Sequence, residues 1–248
     1  MLAIFKREFK SYFTNPFGFI ILAIFYFYSS SDFATFYGAG MPYVEIIVVS
    51  ISSAAIYIIP AITMRLFSDE RRQKTDQALL TAPVKLINIV LGKFFAALAL
   101  FSLALVPSVI FEMIVASKIE VNVLFYLYSV LGILLFASAI IAIGMFISSL
   151  TESPIISIIF TLIINYLVLT GKFAALITVP TAAESWYQKV WIFIATWLVK
   201  AFSALNFVTV LEGFAYRTFI VKDIVYFLSI AIAFIFLTER SLEKRRWS

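Results

Sequence analysis

Ser68-Asp-Glu-Arg-Arg-Gln-Lys-Thr-Asp-Gln-Ala-Leu-Leu-Thr-Ala-Pro83 is the densest run of charge in a chain otherwise built from apolar segments. It separates residues 44–64 from residues 86–116, each long enough to cross a bilayer, for which about 20 mostly apolar residues suffice. Ser68 stands where a helix N-cap is expected, and Asp69 and Glu70 follow at the positive end of the helix dipole. Glu70–Lys74 and Arg72–Asp76 are spaced as i,i+4 ion pairs. Leu79 and Leu80 give the segment an apolar end, and Thr81-Ala82-Pro83 stops it. A helix over 69–80 is about 18 Å long, too short and too charged to span lipid. Such a helix has no core of its own to join, so it lies against the membrane surface, another protein, or both. A docking helix and a solvated loop helix that only sets topology through its arginines both satisfy these residues.

The surrounding chain defines the solvent. Of 248 residues, 63% are hydrophobic and 13% charged, and the mean hydropathy is +1.04, against about 25% charged in a soluble domain. A fold this apolar has lipid as its bulk solvent, and the expected class is an all-α polytopic membrane protein. There is no cysteine and no histidine, which removes thiol catalysis, disulfides and the commonest metal ligand. The net charge of +5 reads as membrane topology by its placement, and no nucleic-acid partner is expected.

Taken in order, residues 1–13 carry Leu2, Phe5, Phe9 and Tyr12 at intervals of three and four, with Lys6, Arg7, Lys10 and Ser11 on the other side. That pattern predicts an amphipathic interfacial helix. Its charges interrupt any signal-peptide core, so no cleavable leader is expected. Spans are predicted at 17–37, 44–64 (with a kink at Pro60), 94–116, 123–147, 155–177 and 222–238. The segment 178–221 is placed on the outer side. Within it Lys189, Thr196, Lys200 and Ser203 share one face of 186–205, flanked by Trp186, Trp191 and Trp197, which predicts an interfacial or re-entrant helix. With six spans and the N-terminus inside, 13 of the 19 Lys and Arg residues fall on inner segments, as the positive-inside bias requires. Both termini, the stretch 68–83 and the turn 148–154 are then cytoplasmic.

No phosphate-binding glycine loop is present: Gly92-Lys93 and Gly171-Lys172 lack both the upstream glycine and the following hydroxyl. No carboxylate pair, Ser/His pair or metal cluster is visible. The chain is not expected to be an enzyme by itself, and it binds no cofactor of its own. Glu112, about one turn from the outer end of its span, and Asn165, mid-span, are the ionisable and amide groups nearest the lipid interior. Each is a candidate for the translocation path or for an inter-helix contact.

The run Asp69 to Val84, followed by Gly92-Lys93-Phe94, resembles the permease subunits of the ABC-2 type of ABC transporters. Glu70, Thr75, Leu79, Leu80, Pro83, Val84, Gly92 and Lys93 match the family pattern. Lys74 stands where glycine is usual, and Asp76 and Gln77 replace a Leu-Glu pair. The turn carrying Ser149, Thr151 and Glu152 is similar to the family's second cytoplasmic loop. Within the family the likeness is to the gliding-motility-associated and copper-nitrous-oxide-system permeases. The resemblance implies that Asp69, Glu70, Arg71, Arg72, Lys74, Thr75, Asp76, Gln77, Leu79, Leu80 and Pro83 form a coupling helix seated in a separate ABC ATPase subunit. ATP and Mg would be held by that partner. It also implies a second permease subunit, as a homo- or heterodimer, in the plasma (inner) membrane of a prokaryote, and it admits an auxiliary membrane or extracytoplasmic protein.

The expected function is therefore the membrane-spanning subunit of an ATP-driven exporter. The rival reading is a non-transporting scaffold or mechanotransmitter driven by or regulating such an ATPase. An ion-coupled secondary transporter predicts mid-span acids and an internal repeat, and neither is seen. Because the chain has no cysteine, its topology can be read with single introduced thiols. Cysteines replacing Ala183 and Lys244 should label from opposite sides of the membrane, and labelling from one side would overturn the six-span topology.

Overall fold

The computed structural model describes residues 1–39, 43–75, 77, 84–116, 123–170, 190, 192–196, 207–215 and 221–246. Every regular element among these residues is a helix: α1 (Leu2–Thr14), α2 (Phe17–Gly38), α3 (Tyr43–Thr63), α4 (Ser68–Arg72), α5 (Leu86–Ala104), α6 (Val106–Ala116), α7 (Val123–Leu150), α8 (Pro154–Thr170), α9 (Phe207–Ala215) and α10 (Val221–Arg246). Five stretches are long and apolar enough to cross a membrane: Phe17–Gly38, Ser50–Arg72, Leu86–Val115, Leu127–Leu150 and Val221–Arg246. Pro154–Val168 is a shorter apolar helix, and residues 171–177 of the span read there lie outside the described residues. The protein is an all-α polytopic membrane protein.

Asn15 leaves helical geometry at φ −104° and ψ 153°, as a residue before proline must, and Pro16 hands the chain to α2. Pro60 lies inside α3, which stays helical to Thr63. The break in the next span comes from a different proline. Pro107 has no N–H to offer the Leu103 carbonyl, and the run pauses at Leu105 between α5 and α6. The Tyr26 hydroxyl of α2 donates to that freed carbonyl at 3.1 Å. Ser29 and Ser108 pair their hydroxyls at 2.7 Å, and Phe33 stacks on Phe111 at 4.5 Å. Thus α2 is fastened along α5 and α6 by the polar and aromatic groups that an apolar medium makes costly to leave unmatched.

The centre of the bundle is α7, against which α3, α8, α9 and α10 pack. A Cβ on Gly144 would stand 2.3 Å from Thr63 Oγ1 and 3.1 Å from Thr161 Cγ2, so α3, α7 and α8 meet where only glycine fits. Toward the other end Phe136, Phe207, Phe214 and Phe227 form an aromatic cluster joining α7, α9 and α10. Phe207, Leu211 and Phe214 of α9 are buried, so this part of the segment placed outside the spans belongs to the packed core. Of 186–205 only 190 and 192–196 are described, with Val190, Phe193 and Ile194 exposed. Lys189, Lys200, Ser203 and the tryptophans of that segment lie outside the described residues. The helix of the last span runs past 238: α10 continues through the charged tail to Arg246.

Replacing Gly144 with Leu should drive a side chain into Thr63 and cost about 1–3 kcal/mol. The expected result is a midpoint of heat-induced aggregation several degrees lower for the detergent-solubilised protein. An unchanged midpoint would show that the three helices do not meet there.

Candidate functional site

The charged end of the bundle is assembled around a buried lysine. Gly92 of α5 lets α1 lie close, because a Cβ there would meet Ile4 Cγ2 at 2.9 Å and the Met1 carbonyl at 3.3 Å. The next residue, Lys93, is 1% exposed. Its ammonium has three N–H donors and meets three acceptors on three elements: the Leu66 carbonyl at 2.6 Å, Glu70 Oε1 at 2.9 Å and Glu8 Oε1 at 3.3 Å. The Phe67 ring lies 5.1 Å from the same nitrogen. A buried ammonium is tolerable only when its donors are matched in this way. Arg7 extends the cluster, meeting Glu8 at 2.6 Å and Glu70 at 3.4 Å. The hydrogen bond to Glu8 pushes the Arg7 guanidinium above its ordinary pKa, against the lowering effect of burial. Tyr12 is buried beside this group and donates to the Ile62 carbonyl at 3.3 Å. Burial first, and the Glu8 charge second, push its phenol upward.

The stretch 68–83 differs from a single helix over 69–80. α4 ends at Arg72, and Lys74 takes the left-handed conformation with φ 56°. The Thr75 N–H bonds to the Glu70 carbonyl at 2.9 Å, and the Lys74 N–H bonds to the Arg71 carbonyl at 3.0 Å. This pair of bonds is the Schellman ending, whose left-handed position is normally glycine. Lys74 therefore occupies a glycine site, which is the physical meaning of the departure seen in the sequence. The break also undoes the expected Glu70–Lys74 pair, and Glu70 turns to Lys93 and Arg7 instead. Arg72 pairs with Asp69 at 3.4 Å, and Arg65 reaches the same carboxylate at 3.0 Å. Ser68 is not the N-cap: it begins α4, and its hydroxyl bonds to the Met64 carbonyl. Thr75 and Gln77 are exposed. Asp76, Leu79, Leu80 and Pro83 lie outside the described residues.

The turn after α7 is tied to the same corner. Ser148 Oγ accepts from the Phe67 and Ser68 N–H groups at 3.1 and 3.2 Å and donates to the Met64 carbonyl at 3.1 Å. Arg71 meets Glu152 at 2.7 Å and the Leu150 carbonyl at 2.9 Å. Ser149 contacts Ser241 at 3.4 Å and its carbonyl accepts from Arg245 of α10, while Thr151 bonds back to the Ile147 carbonyl at 3.3 Å. Sequence reading grouped 69–80 and 149–152 but missed Glu8, Lys93 and Ser148 as their connectors. The available signals were a lone acid in a basic amphipathic helix and a lysine entering an apolar run.

Asn165 on α8 lies apart from this corner: it is 2% exposed, and among the described residues neither amide atom has a hydrogen-bond partner, as is also true of Ser157 Oγ two turns earlier. Glu112 falls on α6, and its side chain is not among those described. Between α1 and the α3–α4 corner lies a cleft of about 390 Å3, whose lining includes Arg7, Ser11, Asn15, Phe17, Arg65 and Arg72. No group of three or more Cys, His, Asp or Glu placed to hold a metal ion occurs among the described residues.

Residues 6–168 match the family model described as ABC-2 family transporter protein. That match spans α1 to α8, and so includes Glu8, the stretch 68–77, Lys93 and the 148–152 turn. No curated protein matches the chain.

Replacing Lys93 with Met should leave Glu8 and Glu70 with only the half-exposed Arg7 as their cation, at a cost on the order of 3 kcal/mol. Adding Glu70→Gln should recover part of that loss. Strictly additive losses in thermal unfolding would show that the three residues do not act as a unit.

Proposed function

The chain belongs to the ABC-2 family of transporter proteins, and on that footing we propose that it is the permease subunit of an ATP-driven exporter, moved by a separate ATPase subunit through residues 69–80. A permease of this family is a membrane component of an ABC transporter. The exporting direction and the entry of force through 69–80 go beyond family membership. One observation carries the coupling reading: Lys93 of α5 is bonded at once to Glu70 of α4 and Glu8 of α1. A partner that displaces α4 must either break these bonds inside a largely dry site or drag α5 and α1 with it. The second is far cheaper, because separating a buried pair leaves uncompensated charge. The push on a short surface helix thus becomes motion of a span, as alternating access requires. Arg71 with Glu152, and Arg245 with the Ser149 carbonyl, spread the same displacement to α7 and α10.

In this reading two permeases and two ATPases form the working unit in a prokaryotic plasma membrane, with both termini of this chain on the ATPase side. ATP and Mg are held by the partner. Asn165, an unmatched amide in an apolar span, is placed to meet polar cargo or water when the helices part, since an amide left permanently dry is costly.

The docking half of the proposal is tested by affinity capture of the full chain from its native membranes. The wild-type eluate should hydrolyse Mg-ATP through the co-captured ATPase. Leu79→Asp with Leu80→Asp should abolish that activity while the chain stays inserted. Undiminished hydrolysis in the variant eluate would overturn docking through 69–80.

A further inference from the structure

Two features lie one above the other beside α2. The first is the charged cleft between α1 and the α3–α4 corner. Four cations, Arg7, Arg65, Arg72 and Lys93, line it with three carboxylates, Glu8, Asp69 and Glu70. Lys93 is consumed by its three acceptors, and Arg65 and Arg72 share the single carboxylate of Asp69. The cleft is left with an excess of positive charge, and its arginines are 55%, 41% and 60% exposed at positions 7, 65 and 72. Ser11 and Asn15 add uncharged hydrogen-bonding groups to the lining, and the Arg65 guanidinium sits 4.8 Å from the centre of the Phe17 ring.

The second feature is an apolar groove of about 170 Å3 lined by Ile24, Tyr28, Ser53, Ala54, Tyr57 and Ile58. Phe17, Ile24 and Tyr28 fall at i, i+7 and i+11 on α2. Ala54 and Ile58 are four apart on α3, and Arg65 lies in the turn two residues past its end at Thr63. Ile24 and Tyr28 of α2 and Ala54 and Ile58 of α3 line the same seam. Seven residues at the helical rise place the groove about 10 Å below the cleft. Beside it Phe19, Ile20, Ile24 and Phe27 of α2 are exposed apolar side chains, so the seam opens on the surface that meets hydrocarbon.

A site with guanidinium groups at the end of the spans and an apolar slot directly beneath fits a phosphate that carries a hydrocarbon tail. We propose that this seam binds one anionic phospholipid, its phosphate held by Arg7, Arg65 and Arg72 and one acyl chain lying in the groove between α2 and α3. Arginine is suited to this through paired N–H bonds to phosphate oxygens, and each basic residue near an anionic lipid surface adds to the attraction. The carboxylates of the cleft do not repel the phosphate on balance, because each already faces a cation. The bound headgroup would bridge α1 to the corner at α4, so lipid composition would set how firmly these two elements are held. The inference stands whether or not residues 69–80 dock an ATPase.

The test uses the purified full chain in detergent, with lipid retention read by native mass spectrometry. The probes are phosphatidylglycerol, phosphatidylcholine and inorganic phosphate. Wild type should retain phosphatidylglycerol over phosphatidylcholine by about tenfold or more. Arg7→Gln, Arg65→Gln and Arg72→Gln together should remove that preference, and the corresponding lysine variants should keep most of it. Ile24→Trp, on an exposed position of the groove, should lower phosphatidylglycerol retention with every arginine in place. Should the triple variant aggregate, Arg72→Gln alone and Ile24→Trp decide the matter by the same readout. Equal retention of the two lipids by wild type would overturn the proposal, as would undiminished retention in the variants. Displacement of the lipid by an equal concentration of inorganic phosphate would assign the cleft to a soluble phosphate. Unchanged lipid binding, with loss of a captured ATPase in Arg65→Gln and Arg72→Gln, would assign it to a protein contact.

Discussion

A single ammonium group holds the charged end of this protein together. Lys93 enters an apolar helix and is almost fully removed from solvent, so its three N–H groups have to be answered from within the protein. The answers come from Glu8, Glu70 and the Leu66 carbonyl, which belong to the surface helix α1, the short helix α4 and the turn that precedes it. α1 also lays Ile4, Phe5, Phe9 and Tyr12 on the core, and the lysine adds the polar contact that joins it to the corner at α4. Gly92 is part of the same device, since only a residue without a side chain lets α1 come near enough for Glu8 to reach.

The rest of the bundle obeys the same rule in its uncharged form. In a hydrocarbon medium a carbonyl or hydroxyl without a partner is expensive. Tyr26 answers the carbonyl that Pro107 releases, Ser29 answers Ser108, and Ser148 answers the turn at Met64–Ser68. Exceptions among the described residues are Asn165, with both amide atoms unmatched in α8, and Ser157 Oγ on the same helix.

Much of this was legible in the residues. The length and apolarity of the segments demanded helices across lipid. The amphipathic spacing of Leu2, Phe5, Phe9 and Tyr12 announced α1. What misled was local pairing. Glu70 and Lys74 are four apart, and on a regular helix they would meet, yet Lys74 closes a Schellman turn at φ 56° and points the chain elsewhere. A helix ending on a lysine in a glycine position is weakly signalled by the sequence, because the surrounding turn, not the lysine's own preference, imposes the conformation. Glu8 looked like one acid among basic residues on a surface helix. Besides its neighbour Arg7 it meets Lys93, 85 positions away.

By itself, then, the sequence determined the medium and the architecture: an all-α polytopic membrane protein with a charged island between two spans. That much follows from composition and run length, because hydrocarbon admits only segments that satisfy their own backbone. Tertiary structure alone decided which charges pair. Glu70 had Lys74, Arg7 and Lys93 within its reach in principle, and the choice turned on how closely α1 approaches α5 at Gly92 and where α4 ends. Contacts of that kind depend on helix packing across many residues of separation, to which neither spacing nor propensity is sensitive.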